Sequence, residues 1–311
     1  MKIVFMGTPD YAVSTLERLI EEGHEIAAVF AQPDKKVGRK QILTPPPVKV
    51  CALEHSIPVF QPETLRDGKA EEILREINPD IIVVVAYGKI LPKEILDIPR
   101  LGCVNGHASL LPKYRGASPI QWCIVCGETE TGVTTMLMDE GMDTGDILEQ
   151  TVVKIGENET AEELFDRLSV ISADLMASTI DKLEKGEIAP KKQPEGATYA
   201  PIINKEMAHL DFSKTAKEVH NAIRGYYSWP CAFFFLKGKR VKVISAEMGI
   251  ETNKKAGTVI TENQEMFIAC GDMKTVKLNV IQPEGSKAMT AKQFLCGNSA
   301  VSGIVIGEEN G

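Results

Sequence analysis

The sequence predicts an α/β protein in which a mostly parallel sheet, covered by helices on both faces, precedes a smaller domain of short strands. Three observations predict it. Strand-like and helix-like apolar patterns alternate through the first half. Ile81 to Ala86 is an unbroken apolar run rich in β-branched residues, as a strand buried on both faces requires. Beyond residue 230, strand-like runs recur about every ten residues with turn residues between them. A length of 311 residues suits two domains of ordinary size.

Lys2–Met6 reads as the first buried strand. Asp10–Glu22 places Ala12, Val13, Leu16, Leu19 and Ile20 at helical spacing. Glu25–Ala31 and Ile57–Phe60 are further strands, and Lys69–Ile77 is a charged amphipathic helix with Ile73, Leu74 and Ile77 on one side. After the Ile81–Ala86 strand, Gly102–His107 and Gly132–Met138 extend the sheet. Thr160 and Glu163 form a capping-box pattern that opens a helix to about Lys185. The stretch from Gly186 to Met207, with three prolines and little periodicity, reads as a linker. Lys217–Gly225 is one more helix. The strand-like runs Ala232–Leu236, Val241–Ala246, Gly257–Ile260, Met266–Cys270 and Val276–Ile281 then suggest a small barrel or sandwich.

Composition narrows the function. Apolar residues make up 43% and charged residues 25%, which argues against disorder, collagen and coiled coil. The net charge of −8 means that any nucleic-acid contact rests on a local patch. Two basic stretches could supply one, with a solvated face as the competing reading: Lys35, Lys36, Arg39, Lys40 and Lys49 lie in the long connection 31–50, and residues 185–242 hold eleven basic against five acidic side chains. Seven scattered cysteines and the absence of a leader pattern point to a reducing, cytoplasmic setting. The apolar run Ile81–Tyr87 is far short of the ~20 residues of a membrane helix.

The first strand-to-helix turn, Gly7-Thr8-Pro9-Asp10, lacks the three-glycine dinucleotide fingerprint, and no P-loop occurs. Asn105 and His107 end a strand on the same side, where an open α/β sheet builds its site. A carboxamide beside an imidazole can polarise a carbonyl, hold an oxyanion and move a proton. Asp139, Glu140, Asp143 and Asp146 crowd a second stretch. One of them near His107 would hold the imidazole's tautomer; a hard-cation site and a solvated acidic turn are the competing readings. Cys123 and Cys126 form a C-x-x-C with no second pair, and are expected to pack as small apolar groups on a helix after Pro119.

The run Asn105-Gly106-His107-Ala108-Ser109-Leu110-Leu111-Pro112-Lys113-Tyr114-Arg115-Gly116 and its continuation to Gln121 resemble the signature of formyltransferases that use 10-formyltetrahydrofolate. Met142-Asp143-Thr144-Gly145-Asp146 is similar to that family's aspartate-bearing loop. Phe5–Ala12, Gln32-Pro33-Asp34, Pro47-Val48-Lys49-Val50, Ile223-Arg224-Gly225 and Trp229-Pro230 extend the resemblance over nearly the whole chain, towards a member that acts on an aminoacylated initiator tRNA. Gly106 stands where the family carries a β-branched residue, and Ser118 where it often has Ala.

The resemblance implies a Rossmann-like catalytic domain over residues 1–189, a linker over 190–208 and an OB-like, tRNA-binding β-barrel over 209–311. It implies transfer of a formyl group to the α-amino group of methionine esterified to tRNA, for translation initiation, by a cytoplasmic, monomeric enzyme of bacterial type without a metal. Asn105, His107 and Asp143 would be catalytic. The folate would lie against Ala86, Tyr87, Gly88, Lys89, Ile90, Ser109, Leu110, Leu111, Pro112, Met138, Asp139 and Gly141. Lys35, Lys36, Arg39 and Lys40 would meet the tRNA. A relative acting on a small amine, and a non-catalytic protein binding ligand and RNA, are the alternatives; formyl transfer assayed on charged tRNA separates them.

Overall fold

A computed structural model describes residues 1–38 and 40–307. The chain divides into two compact units. The first comprises Met1–Pro119, Thr131–Lys154 and Phe165–Ala200; the second comprises Ile120–Glu130, Ile155–Leu164 and residues from Pro201 onward. No helix among the described residues is long and apolar enough to cross a membrane.

The first unit is built on a seven-stranded sheet. Its strands are β1 (Lys2–Gly7), β2 (Glu25–Phe30), β3 (Val59–Phe60), β4 (Ile81–Val85), β5 (Cys103–His107), β6 (Glu130–Leu137) and β7 (Asp146–Lys154), in the order β7-β6-β5-β4-β1-β2-β3. The pairs β1–β2, β1–β4, β2–β3 and β4–β5 are parallel, whereas β6 runs antiparallel to β5. Alternation sends Val4, Met6, Ala28, Phe30, Ile82 and Val84 to one face, where they pack with Ala70 and Leu74 of the helix Lys69–Ile77. The opposite face meets Asp10–Glu21 and Ala161–Lys185, whose Tyr11 and Phe165 rings lie 5.3 Å apart, edge to face. Helices therefore cover both sides, and all five residues of β4 are buried.

Gly106 has a packing reason. A Cβ there would lie 3.1 Å from Ser172 Oγ and 3.3 Å from Met176 Cε, so the glycine lets the long helix close on β5. The Thr160–Glu163 capping box forms as expected, each residue bonding the other's backbone N–H.

Elements the sequence did not announce are the exposed hairpin Lys35–Val37 with Ile42–Thr44, the helix Pro47–Glu54 and the edge strand β7. Three of the strand's nine residues are exposed and Leu148 alone is buried, which blurs its apolar signal. The stretch expected as a linker is tied into the first unit over its earlier part. Lys191 exchanges two backbone hydrogen bonds with Ile147, and Tyr199–Ala200 pairs in parallel with Arg115–Gly116. These pairings are too short to carry a periodic pattern.

In the second unit, β8 (Phe233–Leu236), β9 (Lys239–Glu251), β10 (Val259–Glu262), β11 (Glu265–Ala269) and β12 (Lys274–Pro283) form an antiparallel sheet in the order β8-β9-β12-β11-β10, with Met289–Thr290 added against β12. Its buried face, including Phe234, Val241, Val243, Ile268 and Leu278, packs with Val219 and Ile223 of the helix Ala216–Gly225 and with Phe294 of Ala291–Gly297. All seven cysteines are free, but only Cys123 of the C-x-x-C pair is buried. Cys126 lies just past the end of the helix Pro119–Val125 and is exposed, so it does not pack as expected.

Candidate active site

The three polar residues singled out at the end of β5 and in the acidic loop converge. Asn105 Nδ2 lies 3.5 Å from Asp143 Oδ1, and His107 Nδ1 lies 3.7 Å from Asp143 Oδ2. The parallel pairing of β5 with β4 sets the strand, and its two-residue period puts Asn105 and His107 on one side. Asp143 reaches them from the connection between β6 and β7 in a left-handed conformation, φ 55°. That conformation is uncommon for Asp and is retained where surrounding contacts fix it.

Hydrogen bonds to both its side chain and its backbone supply those contacts. Asp143 Oδ2 accepts a 2.8 Å hydrogen bond from Gly116 N–H. Gln193 Nε2 donates to the carbonyls of Asp143 and Gly145, both at 2.8 Å, while its Oε1 accepts from Arg115. Glycine is required at 145, where a Cβ would fall 1.9 Å from Leu137 O. Gln193, Arg115 and Gly116 were not foreseen as functional. Gln193 lay in the presumed linker, and only the fold brings it beneath Asp143.

His107 Nε2 sits 2.9 Å from Tyr114 O. A carbonyl only accepts, so Nε2 carries the proton. In the neutral ring Nδ1 is then the free base, and it faces the Asp143 carboxylate. Asn105 is half-buried while His107 is buried, which leaves the amide more open than the imidazole to an incoming carbonyl group.

The segments expected to hold a folate behave unequally. Ala86, Gly88 and Ile90 are exposed, with Ala86 and Gly88 both at positive φ. Tyr87 is buried, its hydroxyl has no hydrogen-bond partner, and burial pushes that phenol up to about 12. Lys89 Nζ is spent on the carbonyls of Pro62 and Glu63. Ser109 and Leu111 are buried and internally bonded: Ser109 Oγ donates to Lys113 O, and Leu111 bonds Thr134 and Gln150. Leu110 and Pro112 are half-buried. Asp139 Oδ1 accepts from Gly141 N and Thr144 Oγ1 and so shapes the loop that Met138 enters.

A cavity of about 570 Å³ borders two of these segments at Ile90 and Glu140, with Leu65, Arg66 and Leu91 on its walls. Asn105, His107 and Asp143 do not line it. Its size and its mixture of apolar and ionisable walls fit part of an amphipathic ligand such as a folate. The four carboxylates of the acidic stretch do not gather. Among the described residues no three His, Cys, Asp or Glu side chains cluster as a metal site would need.

Lys35, Lys36 and Lys40 are exposed on or beside the small hairpin. Arg39 lies outside the described residues. Lys49, counted above with the basic stretch, is instead paired with Asp34 at 2.8 Å and bonded to Gln61, an arrangement that holds the Asp34 carboxyl below its usual range.

Known proteins share this architecture and sequence. The family described as formyl transferase matches residues 1–180, and the formyl transferase C-terminal domain matches residues 202–299. The chain is 47% identical over 302 residues to the methionyl-tRNA formyltransferase of Thermodesulfovibrio yellowstonii, covering 97% of each. It is 48% identical over 316 residues to that of Lachnospira eligens, covering 99% of this chain and 100% of the other. Among solved structures, an N-formyltransferase from Helicobacter canadensis, in complex with folinic acid and dTDP-3-aminofucose, superposes with a TM-score of 0.70 at 23% identity, covering 89% of this chain and 98% of that one.

Proposed function

The chain belongs to the formyl transferase family, within its methionyl-tRNA formyltransferases, and from that premise we propose that it transfers the formyl group of 10-formyltetrahydrofolate to the α-amino group of initiator methionyl-tRNA. The observation that carries the reading is the convergence of Asn105, His107 and Asp143 at the end of β5.

The folate, when bound, supplies an activated one-carbon unit on a nitrogen leaving group. The protein supplies orientation and fixed dipoles. Asn105 donates to the formyl oxygen as negative charge develops there. His107 Nδ1 accepts the proton that the attacking amine must lose, because Nε2–H is already committed to Tyr114 O. Protonated Nδ1 then becomes a second donor at the same centre. Asp143 faces Nδ1 and holds Asn105, and so sets the geometry of both. The protonated ring returns its proton to the departing folate nitrogen, and no covalent bond to the enzyme is needed.

The segments 86–90, 109–112 and 138–141 are proposed to seat the folate. The exposed Ala86, Gly88 and Ile90 offer contact, while the buried Ser109 and Leu111 give shape. Lys35, Lys36, Arg39 and Lys40 are proposed to meet tRNA phosphates, with 1–189 as catalytic domain, 190–208 as connection and 209–311 as the tRNA-binding part. Transfer of labelled formyl group from 10-formyltetrahydrofolate to charged initiator tRNA tests the whole reading. Transfer to a small amine but not to tRNA would defeat it.

A further inference from the structure

The hairpin of β8 and β9 carries an unusual outer face. Phe234 and Leu236 point into the core, and alternation sends Phe233 and Phe235 to the other side of the strand, where Phe233 is covered by its neighbours and Phe235 is open. Cross-strand pairing sets Lys242 opposite Phe233 and Arg240 opposite Phe235. The Arg240 guanidinium lies 3.7 Å from the Phe233 ring centre. The His209 imidazole stacks on Phe233 at 5.2 Å and 20°, and meets Phe235 edge-on at 5.7 Å. His209 is exposed, and Phe235 stands 45% exposed beside it.

The Phe235 ring is held by its neighbours yet open on one side, so a ligand can reach its face without rearrangement of the strand. Charge says what covers it. From Phe233 to Ala246 the chain has four cations and no carboxylate. Lys237, Lys239 and Lys242 make no ion pair among the described residues. The nearby Glu284 accepts the backbone N–H of Arg240, and buried Nε of Arg240 has no hydrogen-bond partner. An open phenylalanine ring beside an exposed imidazole, flanked by unpaired cations, suits a base on the ring and phosphates on either side.

We propose that this face is a stacking platform for an unpaired nucleotide of the RNA substrate, with the base on the Phe235 ring beside the His209 edge and its flanking phosphates on Lys242 and on Lys237 of the turn. It rests on the reading that the acceptor amine is carried by RNA, and names the residues of the second unit that grip it. Phe235 is far from well buried, so its replacement leaves the core intact.

Formyl transfer is measured with methionyl-tRNA varied at saturating formyl donor. F235A and F235L raise KM for tRNA by about 5- to 150-fold, the range of one lost base stack. They leave kcat and the KM for the donor within about twofold by the same argument, and F235W restores the wild-type value. F235L isolates the ring, since it keeps the apolar bulk. A second arm needs no turnover: the indole emission that F235W adds to that of Trp122 and Trp229, read as the difference from the wild-type chain, is quenched by a short unstructured RNA and not by a heparin chain of equal charge. F235L with wild-type KM, or F235W unquenched by RNA, overturns the platform while leaving formyl transfer in place. A wild-type chain that formylates no tRNA fails the functional reading instead, and the quenching arm still decides the platform.

Discussion

His107 Nδ1 and Asp143 Oδ2 face each other at 3.7 Å, one from the end of a buried strand and the other from a loop in a left-handed turn. The gap is too long for a direct hydrogen bond. It is within ion-pair range, so the carboxylate lies close enough to act on a protonated ring through space. With Nε2 fixed on Tyr114 O, this is the edge of the imidazole left for chemistry.

Loss of either group removes the proton acceptor or its alignment. H107A and D143N are each expected to lower formyl-transfer kcat by at least about 10²-fold, the usual cost of one preorganised polar group. D143N keeps an oxygen for Gly116 N–H, so its melting temperature stays near wild type. Labelled-formyl transfer and a thermal melt on the same samples check this, and near-normal turnover in either variant refutes the assignment.

Gln193 acts through Asp143. Its amide holds the carbonyls of Asp143 and Gly145. Q193A is expected to reduce kcat by about 10- to 100-fold through misplacement of the carboxylate, with little change in donor KM. The double-mutant cycle gives the sharper reading. In a D143N background the same change should cost almost nothing more. Additive losses would show that Gln193 matters for some other reason.

Gly106 is a packing residue between Asn105 and His107, the two strand residues proposed to be catalytic. G106V drives two methyls towards Ser172 Oγ and Met176 Cε and should destabilise the chain by about 1–3 kcal/mol, as overpacking does. M176A in addition should recover part of that loss. Urea denaturation of the single and double variants measures it.

His220 makes the second unit sensitive to acid. The ring is buried beside Arg224 and Lys217, and burial first, then those cations, push its pKa down to about 4. Its unfolded value is near 6.5. The unfolded chain therefore binds the proton first as pH falls. Stability is complete above pH 6.5 and declines towards pH 4, by on the order of 2–3 kcal/mol from this group alone. H220N should flatten that slope in urea melts run between pH 4 and 7; an unchanged slope would assign it elsewhere.

Periodicity carried the framework. The helix Lys69–Ile77 matches its expected bounds, and the capping box at Thr160 marked the start of Ala161–Lys185, because both are local patterns. The antiparallel direction of β6 and the edge strand β7 had no such signature, since strand direction and pairing depend on partners distant in the chain.

The candidate site divides the same way. Residue types and the two-residue strand period were enough to put Asn105 and His107 side by side and to mark Asp143 as an eligible carboxylate. The sequence by itself also determined the family, through its length-wide likeness to known formyltransferases. Tertiary structure alone decided that Asp143 meets the other two, that Gln193 holds it there, that Lys49 is paired with Asp34, and that Phe235 remains open beside His209. The physical reason is range: strand and helix periods act over a few residues, whereas a hydrogen bond or ring contact across 38, 50 or 26 positions exists only once the chain has closed those loops.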